Sequence, residues 1–235
     1  MSSASFAPVV ASPDQHRSEP SPSVSVRQSA TRWPLTAGSL AAIKPPASLG
    51  LPGASCLRPV GRGDLAAIAA FPFTVSITEP LTDLATLTDR LDATALWSDD
   101  AGALAITEPD GRLVGTCQFY RSAPCIHGYE IGYLVHDRAD RGRGHASTAL
   151  GLLTDHIFET RLACFRLQLL IEVWNVASWK VAERGGYVRE GLLRSAGFGE
   201  GDPSDCFVYG RTRKDWTEQR HAGPSLGGSA SHQTR

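Results

Sequence analysis

The sequence lacks any apolar run long enough for a membrane-spanning helix or for the hydrophobic part of a secretion signal. It also lacks an excess of either charge, because 23 basic and 24 acidic residues leave a formal net charge of −1 at pH 7. This balance provides no general electrostatic attraction to nucleic acids or to anionic lipids. We therefore expect neither a nucleic acid nor a membrane as a partner.

Close pairs of metal-ligating residues are missing as well. The cysteines are widely scattered, without the short Cys and His spacings that a structural zinc site needs. An odd, dispersed set of thiols is typical of a reducing compartment, so we expect a cytoplasmic protein with no metal. These cysteines are Cys56, Cys117, Cys125, Cys164 and Cys206.

Large apolar residues are scarce at both ends of the chain. Residues 1–54 are rich in Ser, Pro and Ala, and residues 217–235 are rich in Gly, Ser and His. Such segments bury too little apolar surface to offset the entropy lost on ordering. We predict disordered tails at 1–54 and 217–235 around a single domain at 55–216.

Residues 129–153 are the most informative stretch of the sequence. Residues 129–135 alternate with a period of two, which predicts a strand that carries Glu130. Apolar residues recur at helical spacing between Ala146 and Ile157, which predicts an amphipathic helix. The two elements are joined by a turn rich in Arg and Gly.

The glycine turn, as we call residues 141–146, contains Arg141, Gly142, Arg143, Gly144, His145 and Ala146. Its glycines let the backbone approach a ligand, and a helix starting near Gly144 directs unpaired N–H groups outward. Such a terminus binds anions, and the arginines add positive charge, so a pyrophosphate fits here. The alternative is a plain strand-to-helix turn with a solvated basic rim. A Walker loop is excluded because the turn has no Lys, and a dinucleotide fingerprint because Ser147 replaces its third glycine.

The remaining predicted elements include both strands and helices. Their order, a hairpin followed by strand, helix, strand, helix and a last pair of strands, implies a mixed α/β sheet with helices packed on it. We predict helices at 65–70, 81–96 and 176–184, and strands at 103–107, 113–120, 165–173, 187–189 and 206–211, with Asp64 as the N-cap of the first helix.

The glycine turn resembles the pyrophosphate loop of the GNAT acyl-CoA-dependent N-acetyltransferases, Gln/Arg-x-x-Gly-x-Gly/Ala, through Arg141, Gly144 and Ala146. Over residues 56–216 the chain is most similar to the RimJ/RimL-type branch of that family. Further matches are Leu-Arg-Pro at 57–59, Glu-Ile-Gly-Tyr at 130–133, Asn175 with Ser178, and Arg-Glu-Gly-x-Leu-Arg at 189–194. The resemblance implies the GNAT fold, a mostly antiparallel mixed sheet flanked by helices, with acetyl-CoA as co-substrate.

The resemblance also implies a set of cofactor-binding residues. The glycine turn would hold the pyrophosphate, and the main chain of Tyr133, Leu134 and Val135 would bind the pantetheine arm. A backbone N–H near Leu134 or Val135 would face the thioester oxygen. Asn175 would bond a pantetheine amide, unless it only caps a helix. His145 either contacts a phosphate or faces solvent.

Three residues are candidates for catalysis. Glu190 lies where related N-terminal acetyltransferases have their probable base, and Glu130 is the second candidate; each is alternatively a structural carboxylate. Many GNAT members protonate the thiolate with a tyrosine at the position that Ala182 holds here. The branch suggests Ser178 as the replacement, unless Ser178 is only a polar residue at a helix start.

Three hypotheses about function remain open at this point. The acceptor is an amine, either a protein N-terminus or a small molecule such as an antibiotic or a polyamine. An α-amino group has a pKa of about 7.7 to 8.0, so it needs less help to lose its proton than a lysine at about 10.4. The third hypothesis is a non-catalytic acyl-CoA sensor, which the missing tyrosine at Ala182 favours. We expect a monomer or a homodimer.

Overall fold

The structure, a computed structural model, describes residues 44–222 except for residues 52, 72, 75–79, 82, 123–124, 126 and 198–202. The predicted tails therefore lie outside the described residues at 1–43 and at 223–235. Among the described residues, no helix has both the length and the apolar character needed to cross a membrane.

The described chain alternates between strands and helices. The strands are β1 (Cys56–Pro59), β2 (Phe73–Thr74), β3 (Pro80–Leu81), β4 (Ala101–Thr107), β5 (Leu113–Tyr120), β6 (Gly128–Val135), β7 (Arg166–Glu172), β8 (Val188–Leu193) and β9 (Cys206–Thr212). The helices are α1 (Leu65–Ala69), α2 (Leu84–Thr94), α3 (His145–Thr160), α4 (Val176–Arg184) and α5 (Arg213–His221), with short 3-10 turns at Arg62–Asp64 and Arg138–Asp140.

Seven of these strands form one sheet in the order β1-β4-β5-β6-β7-β9-β8. Every neighbouring pair is antiparallel except β6 and β7, which are parallel. Helix α3 makes the long crossover that a parallel pair needs. The predicted mixed, mostly antiparallel sheet flanked by helices is confirmed.

Strands β6 and β7 separate soon after they meet. They pair at Gly128 with Arg166, at Tyr129 with Leu167 and at Glu130 with Gln168. Beyond that last pair, β6 continues to Val135 and β7 to Glu172 without further pairing to each other. A slot therefore opens in the middle of the sheet, and Glu130 and Gln168 lie at its closed end.

Each face of the sheet buries its own apolar cluster. The larger cluster packs α3 and α4 against residues such as Leu104, Phe119 and Leu167. On the opposite face, α1 and α2 pack against Ala103 and Ala105 of β4. Because successive residues of a strand point to opposite faces, Glu130, Gly132 and Leu134 of β6 lie on the α1/α2 face.

Several predicted boundaries shift for identifiable reasons. Helix α2 begins at Leu84 and not near residue 81, because the Asp83 carboxylate accepts a bond from the N–H of Thr86 at 2.8 Å. Asp64 lies at the predicted N-cap position of α1, but its carboxylate makes no capping bond to that helix and instead binds Arg58 and the N–H of Gly61.

Regular structure is also described on both sides of residues 55–216. Helix α5 runs to His221, five residues past the boundary at 216, and its start is fixed by a capping box between Thr212 and Asp215. At the other end, Leu49 forms a bridge with Leu57, before the boundary at residue 55. Leu49 also packs against the larger apolar cluster.

Candidate active site

The glycine turn has the backbone shape of an anion site. Gly142 and Gly144 have φ angles of +77° and +91°, in the left-handed region that favours glycine. Gly144 is the N-cap of α3, and no side chain caps this helix end. The first N–H groups of α3 therefore point into an open turn, where a side chain at either glycine would meet no atom within 4 Å.

The arginines of the turn are less free than the sequence suggested. Arg141 donates to the main-chain oxygens of Val135 at 3.3 Å and His136 at 3.4 Å, beside the open end of the slot. Arg143 forms ion pairs with Glu108 at 2.8 Å and Asp140 at 3.0 Å. Much of the positive charge of Arg143 is therefore neutralised within the protein.

A network of four charged residues ties the β4–β5 hairpin to the glycine turn. Arg112 bonds both oxygens of Asp140 at 2.8 Å and also reaches Glu108 at 2.6 Å, while Arg143 pairs with the same two carboxylates. The guanidinium of Arg112, and then that of Arg143, lower the pKa of Asp140 to about 2. We call these four residues, Glu108, Arg112, Asp140 and Arg143, the hairpin network.

His145 does not face solvent. Its ring is buried, with Nδ1 at 2.8 Å from Oγ of Ser55 and Nε2 at 3.7 Å from Oε1 of Glu108. The alternative that His145 faces solvent is therefore wrong, and its contact with a phosphate stays a prediction. What His145 can offer to an anion is its main-chain N–H at the start of α3.

Three potential metal ligands meet at this place. Oxygen or nitrogen atoms of Glu108, Asp140 and His145 lie within 4.8 Å of one another. Both carboxylates are already neutralised by Arg112 and Arg143, so a further cation would be repelled by two guanidinium groups. These residues therefore do not fit a metal ion.

The main chain of β6 lines the slot. The N–H of His136 bonds to the oxygen of Val114, and bonds to one neighbour recur at every second residue of an antiparallel strand. The main-chain groups of Tyr133 and Val135 therefore point away from β5, into the slot, whereas those of Leu134 point to β5. Of the two predicted thioester contacts, only Val135 has its N–H directed into the slot.

Helix α4 places two polar side chains beside the slot. Asn175 caps the helix, with Oδ1 accepting from the N–H of Ser178 at 3.2 Å. Oγ of Ser178 lies 2.8 Å from the hydroxyl of Tyr133, which also donates to the main-chain oxygen of Ser178 at 3.1 Å. Burial, partly offset by the bond to Ser178, raises the pKa of Tyr133 to about 12. The sequence pointed only to the main chain of Tyr133, so its hydroxyl was missed.

Glu130 is buried at the closed end of the slot. Its Oε1 accepts from the hydroxyl of Tyr120 at 2.8 Å and its Oε2 from Nε2 of Gln168 at 3.1 Å. Burial, and then the charge of Glu130, raise the pKa of Tyr120. Tyr120 therefore stays protonated and donates to the carboxylate.

The structure does not bring Glu190 to the slot. It lies on the edge strand β8, which β9 and β7 separate from β6. Both of its carboxylate oxygens bond Arg166, at 2.7 and 2.5 Å, and this pairing lowers the pKa of Glu190. An ion-paired carboxylate with a lowered pKa is a weaker base. The geometry of Glu190 therefore favours the alternative that it is a structural carboxylate.

A cavity lies elsewhere, beside the first residues of β6. It has a volume of about 500 Å³ and is lined by residues that include Trp97, Tyr129 and Arg161. The guanidinium of Arg161 already donates to the main-chain oxygens of Ser98 and Asp99. We assign no chemistry to this cavity, because the guanidinium of Arg161 is already used in hydrogen bonds within the protein.

The turn, the slot and the crossover helix correspond to a known family. Residues 55–188, more than half of the chain, match the family described as the acetyltransferase (GNAT) domain. The chain belongs to the GNAT acetyltransferase family.

Two curated relatives of this GNAT protein match it over a limited stretch. The probable N-acetyltransferase YjcK of Bacillus subtilis (strain 168) is 30% identical over 89 residues, which is 37% of this chain and 48% of the relative. The ribosomal-protein-serine acetyltransferase of Escherichia coli (strain K12) is 32% identical over 103 residues, 43% of this chain and 56% of the relative. The chain thus spans about half the length of the curated relatives it matches.

Solved structures share the fold over most of their length. RimJ of Mycobacterium smegmatis, in complex with CoA-disulfide, is 24% identical with a TM-score of 0.59, covering 77% of this chain and 98% of that one. A dodecameric spermidine N-acetyltransferase of Vibrio cholerae is 21% identical with a TM-score of 0.59, covering 69% and 96%. At these identities the likeness establishes the fold of the GNAT domain.

Proposed function

We propose that this protein transfers the acetyl group of acetyl-CoA to a primary amine, and that the acceptor is the α-amino group of a protein N-terminus. The observation that carries the proposal is the separation of β6 from β7 directly beyond Glu130. It creates a slot with an anion site at the open end and a buried carboxylate at the closed end. The slot has the length of a strand segment, which suits an extended pantetheine arm.

Three groups of this chain would hold the cofactor. The N–H groups at the start of α3 bind the pyrophosphate, with Arg141 beside them. The exposed main chain of Tyr133 and Val135 bonds the pantetheine arm in the manner of an added strand. The N–H of Val135, or that of Tyr133, stabilises the negative charge that develops on the thioester oxygen.

The chemical step needs a base on one side of the slot and a proton donor on the other. The amine nitrogen attacks the thioester carbon, Glu130 accepts a proton from that nitrogen, and the carbon–sulfur bond breaks. Ser178 donates its proton to the departing thiolate, which leaves as the protonated thiol. The proton that Glu130 has taken from the nitrogen then returns through water to the Ser178 oxygen, so that both residues are restored. We favour Glu130 over Glu190 as the base because only Glu130 lies at the slot.

Ser178 can act as a donor because Tyr133 supports it. With a pKa of about 12, the hydroxyl of Tyr133 stays protonated at neutral pH. Its single hydrogen can be donated either to the main-chain oxygen of Ser178 or to Oγ of Ser178. When it turns to Oγ, the hydrogen of Ser178 is free to point at the sulfur. The pair thus supplies the hydroxyl that the family's usual tyrosine, replaced here by the buried Ala182, would supply.

The choice of a protein N-terminus rests on chemistry and on two relatives. An α-amino group with a pKa of about 7.7 to 8.0 is partly deprotonated at neutral pH, which suits a site with one carboxylate. The names of the Escherichia coli relative and of the RimJ structure agree with the RimJ/RimL branch. We place the enzyme in the cytoplasm, where ribosomal-protein N-termini and acetyl-CoA meet, as a monomer or a homodimer that needs no metal.

The test is thiol release from acetyl-CoA by the purified full chain. Acceptors are peptides with a free N-terminus, the same peptides with a blocked N-terminus and one lysine, spermidine and an aminoglycoside. We expect release with the free N-termini and its loss in Glu130→Gln. Release only with spermidine or the aminoglycoside would assign a small-molecule acceptor. Tight CoA binding without release for any amine would contradict the enzyme and indicate a sensor.

A further inference from the structure

The α1/α2 face of the sheet carries a row of buried polar side chains at the closed end of the slot. The register aligns Tyr120 with Glu130 and Glu130 with Gln168, one residue on each of three neighbouring strands. In the adjacent row, Gln118 of β5 pairs with Gly132 of β6. Glu130, Gln168 and Gln118 are 2%, 1% and 8% exposed, so their polar atoms are withdrawn from bulk water.

Two oxygens in these rows have no donor. The described part of the chain provides no hydrogen-bond partner for Oε1 of Gln118 or Oε1 of Gln168, although both atoms are buried. The orientation of Gln168 is fixed because its Nε2 donates to Glu130 at 3.1 Å. A buried carbonyl without a donor destabilises the folded state, so two of them beside one carboxylate call for an explanation.

The absence of a side chain at Gly132 leaves room for the amide of Gln118. A Cβ on Gly132 would lie 2.9 Å from Nε2 of Gln118, so the glutamine amide rests directly over the glycine. The amide therefore stays close to β6, over the residue two positions from Glu130 on the same face. All three acceptor groups, two amide oxygens and one carboxylate, then lie on one face of the sheet where the slot begins.

We propose that Gln118 and Gln168 bind the acceptor nitrogen and restrict the substrate to primary amines. This inference rests on the proposed function. A primary ammonium has three N–H donors, and the site offers three acceptors: Glu130 and Oε1 of each glutamine. When Glu130 takes one proton and releases it to water, the two amide oxygens hold the two remaining N–H groups. The lone pair of the nitrogen is then directed at the thioester carbon. As the new carbon–nitrogen bond forms and the carbon–sulfur bond breaks, Glu130 takes a second proton from the nitrogen and Ser178 protonates the departing thiolate.

The arrangement predicts a preference that a carboxylate alone would not produce. An N-methyl amine has one donor fewer than a primary amine, so one amide oxygen would stay unpaired when it binds. A site that leaves a buried polar group unpaired rejects the analogue strongly. Primary amines are therefore acetylated in preference to their N-methyl counterparts, and the preference depends on the glutamine oxygens.

The test compares Gln118→Met with the full-length wild type on a free N-terminal peptide and its N-methyl counterpart. Methionine matches glutamine in length but has no carbonyl. We expect the KM for the primary peptide to rise tenfold or more, the KM for acetyl-CoA to stay unchanged, and the preference over the N-methyl peptide to fall. The thermal midpoint stays equal or rises, because a buried unpaired carbonyl has been removed.

Thr116→Val is the matched control, since Thr116 is buried two residues away on the same strand and face. It should leave the KM for the amine unchanged. An unchanged amine KM in Gln118→Met, or a lowered thermal midpoint with equal loss of acetyl-CoA affinity, overturns the inference.

A separate binding measurement distinguishes this inference from the proposed function. The primary peptide is titrated calorimetrically into the CoA-bound protein, where no transfer can occur. The inference requires at least tenfold weaker peptide binding by Gln118→Met whether or not the wild type turns over. Equal binding contradicts the role of Gln118 alone, and absent turnover with intact peptide binding contradicts the proposed function alone.

Discussion

The hydroxyl of Tyr133 lies 2.8 Å from Oγ of Ser178, which joins strand β6 to the first turn of helix α4 beside the slot. Each residue is ordinary in its own element, a half-buried aromatic on a strand and a serine near a helix N-terminus. In the proposed mechanism, this hydroxyl pair supplies the proton for the departing thiolate. The same pair couples the cofactor slot to the cap at Asn175, which binds the N–H of Ser178.

Replacing Tyr133 by Phe should lower kcat about tenfold with little change in the KM for acetyl-CoA. The change removes one hydrogen bond, of about 1 kcal/mol, and a factor of ten corresponds to about 1.4 kcal/mol. Steady-state kinetics with a free N-terminal peptide measure the effect. Tyr187→Phe is the control, because it removes a buried hydroxyl bonded to Thr154 in the same core but outside the slot. Equal kcat values for the two variants would refute a role for Tyr133.

Glu130→Gln should reduce kcat/KM by about 100-fold or more, the range typical of a lost general base. Glutamine keeps an oxygen for Tyr120 but cannot take a proton. Glu190→Gln should stay within a few-fold of wild type, since Glu190 on β8 forms an ion pair with Arg166 of β7. Both variants are measured on the same peptide with circular dichroism to check folding. The reverse order of effects would return the role of base to Glu190.

Acid should weaken the hairpin network in a defined range of pH. The pKa of Asp140 is about 2 in the folded protein against about 3.8 when unfolded, so its pairing stabilises the fold above the unfolded value. That contribution is lost as the pH falls from about 4 to about 2. Urea unfolding at pH 7, 4 and 2 measures it, with Asp140→Asn in parallel. We expect wild type to exceed the variant in stability at pH 7 and to converge with it at pH 2; a constant difference would argue against this.

Two glycines of one helix should respond to alanine in opposite ways. Gly144→Ala forces alanine to a φ of +91° and should cost about 1 to 2 kcal/mol, with weaker CoA binding. Gly151 lies inside α3, where an added Cβ would meet no atom within 4 Å, so Gly151→Ala should stabilise by about 0.5 to 1 kcal/mol. Chemical denaturation and CoA titration measure both. A shift of the same sign in the two variants would contradict the backbone argument.

Elements with strong local signals could be predicted from the sequence. The hairpin β4–β5 follows from two β-rich runs around Pro-Asp-Gly, and α3 and α4 from helical spacing that begins after Gly144 and Asn175. In each case, the residues that determine the element are close neighbours in the sequence. The fold class followed from their order, because a strand, helix and parallel strand leave few arrangements for the sheet.

Contacts between distant segments could not be predicted in this way. Arg143 meets Glu108 only because β4, β5 and β6 adopt one particular register, and 35 positions of sequence separate the two residues. The alternation in β7 did not single out Gln168, because it does not show that both faces of the sheet are covered and that Gln168 is buried. A polar residue amid apolar neighbours in a central strand is the signal that could have pointed to it.

The hairpin network has a consequence for protein engineering. Glu108 and Arg112 form ion pairs with Asp140 and Arg143. The glycine turn and the β4–β5 hairpin should therefore be exchanged together. A loop grafted alone into another member of the family would arrive with an arginine that has lost one of its two carboxylates. A chimera that transfers residues 108–112 together with residues 138–146 keeps the charges matched. Recombination between relatives therefore has its natural crossover points outside both segments.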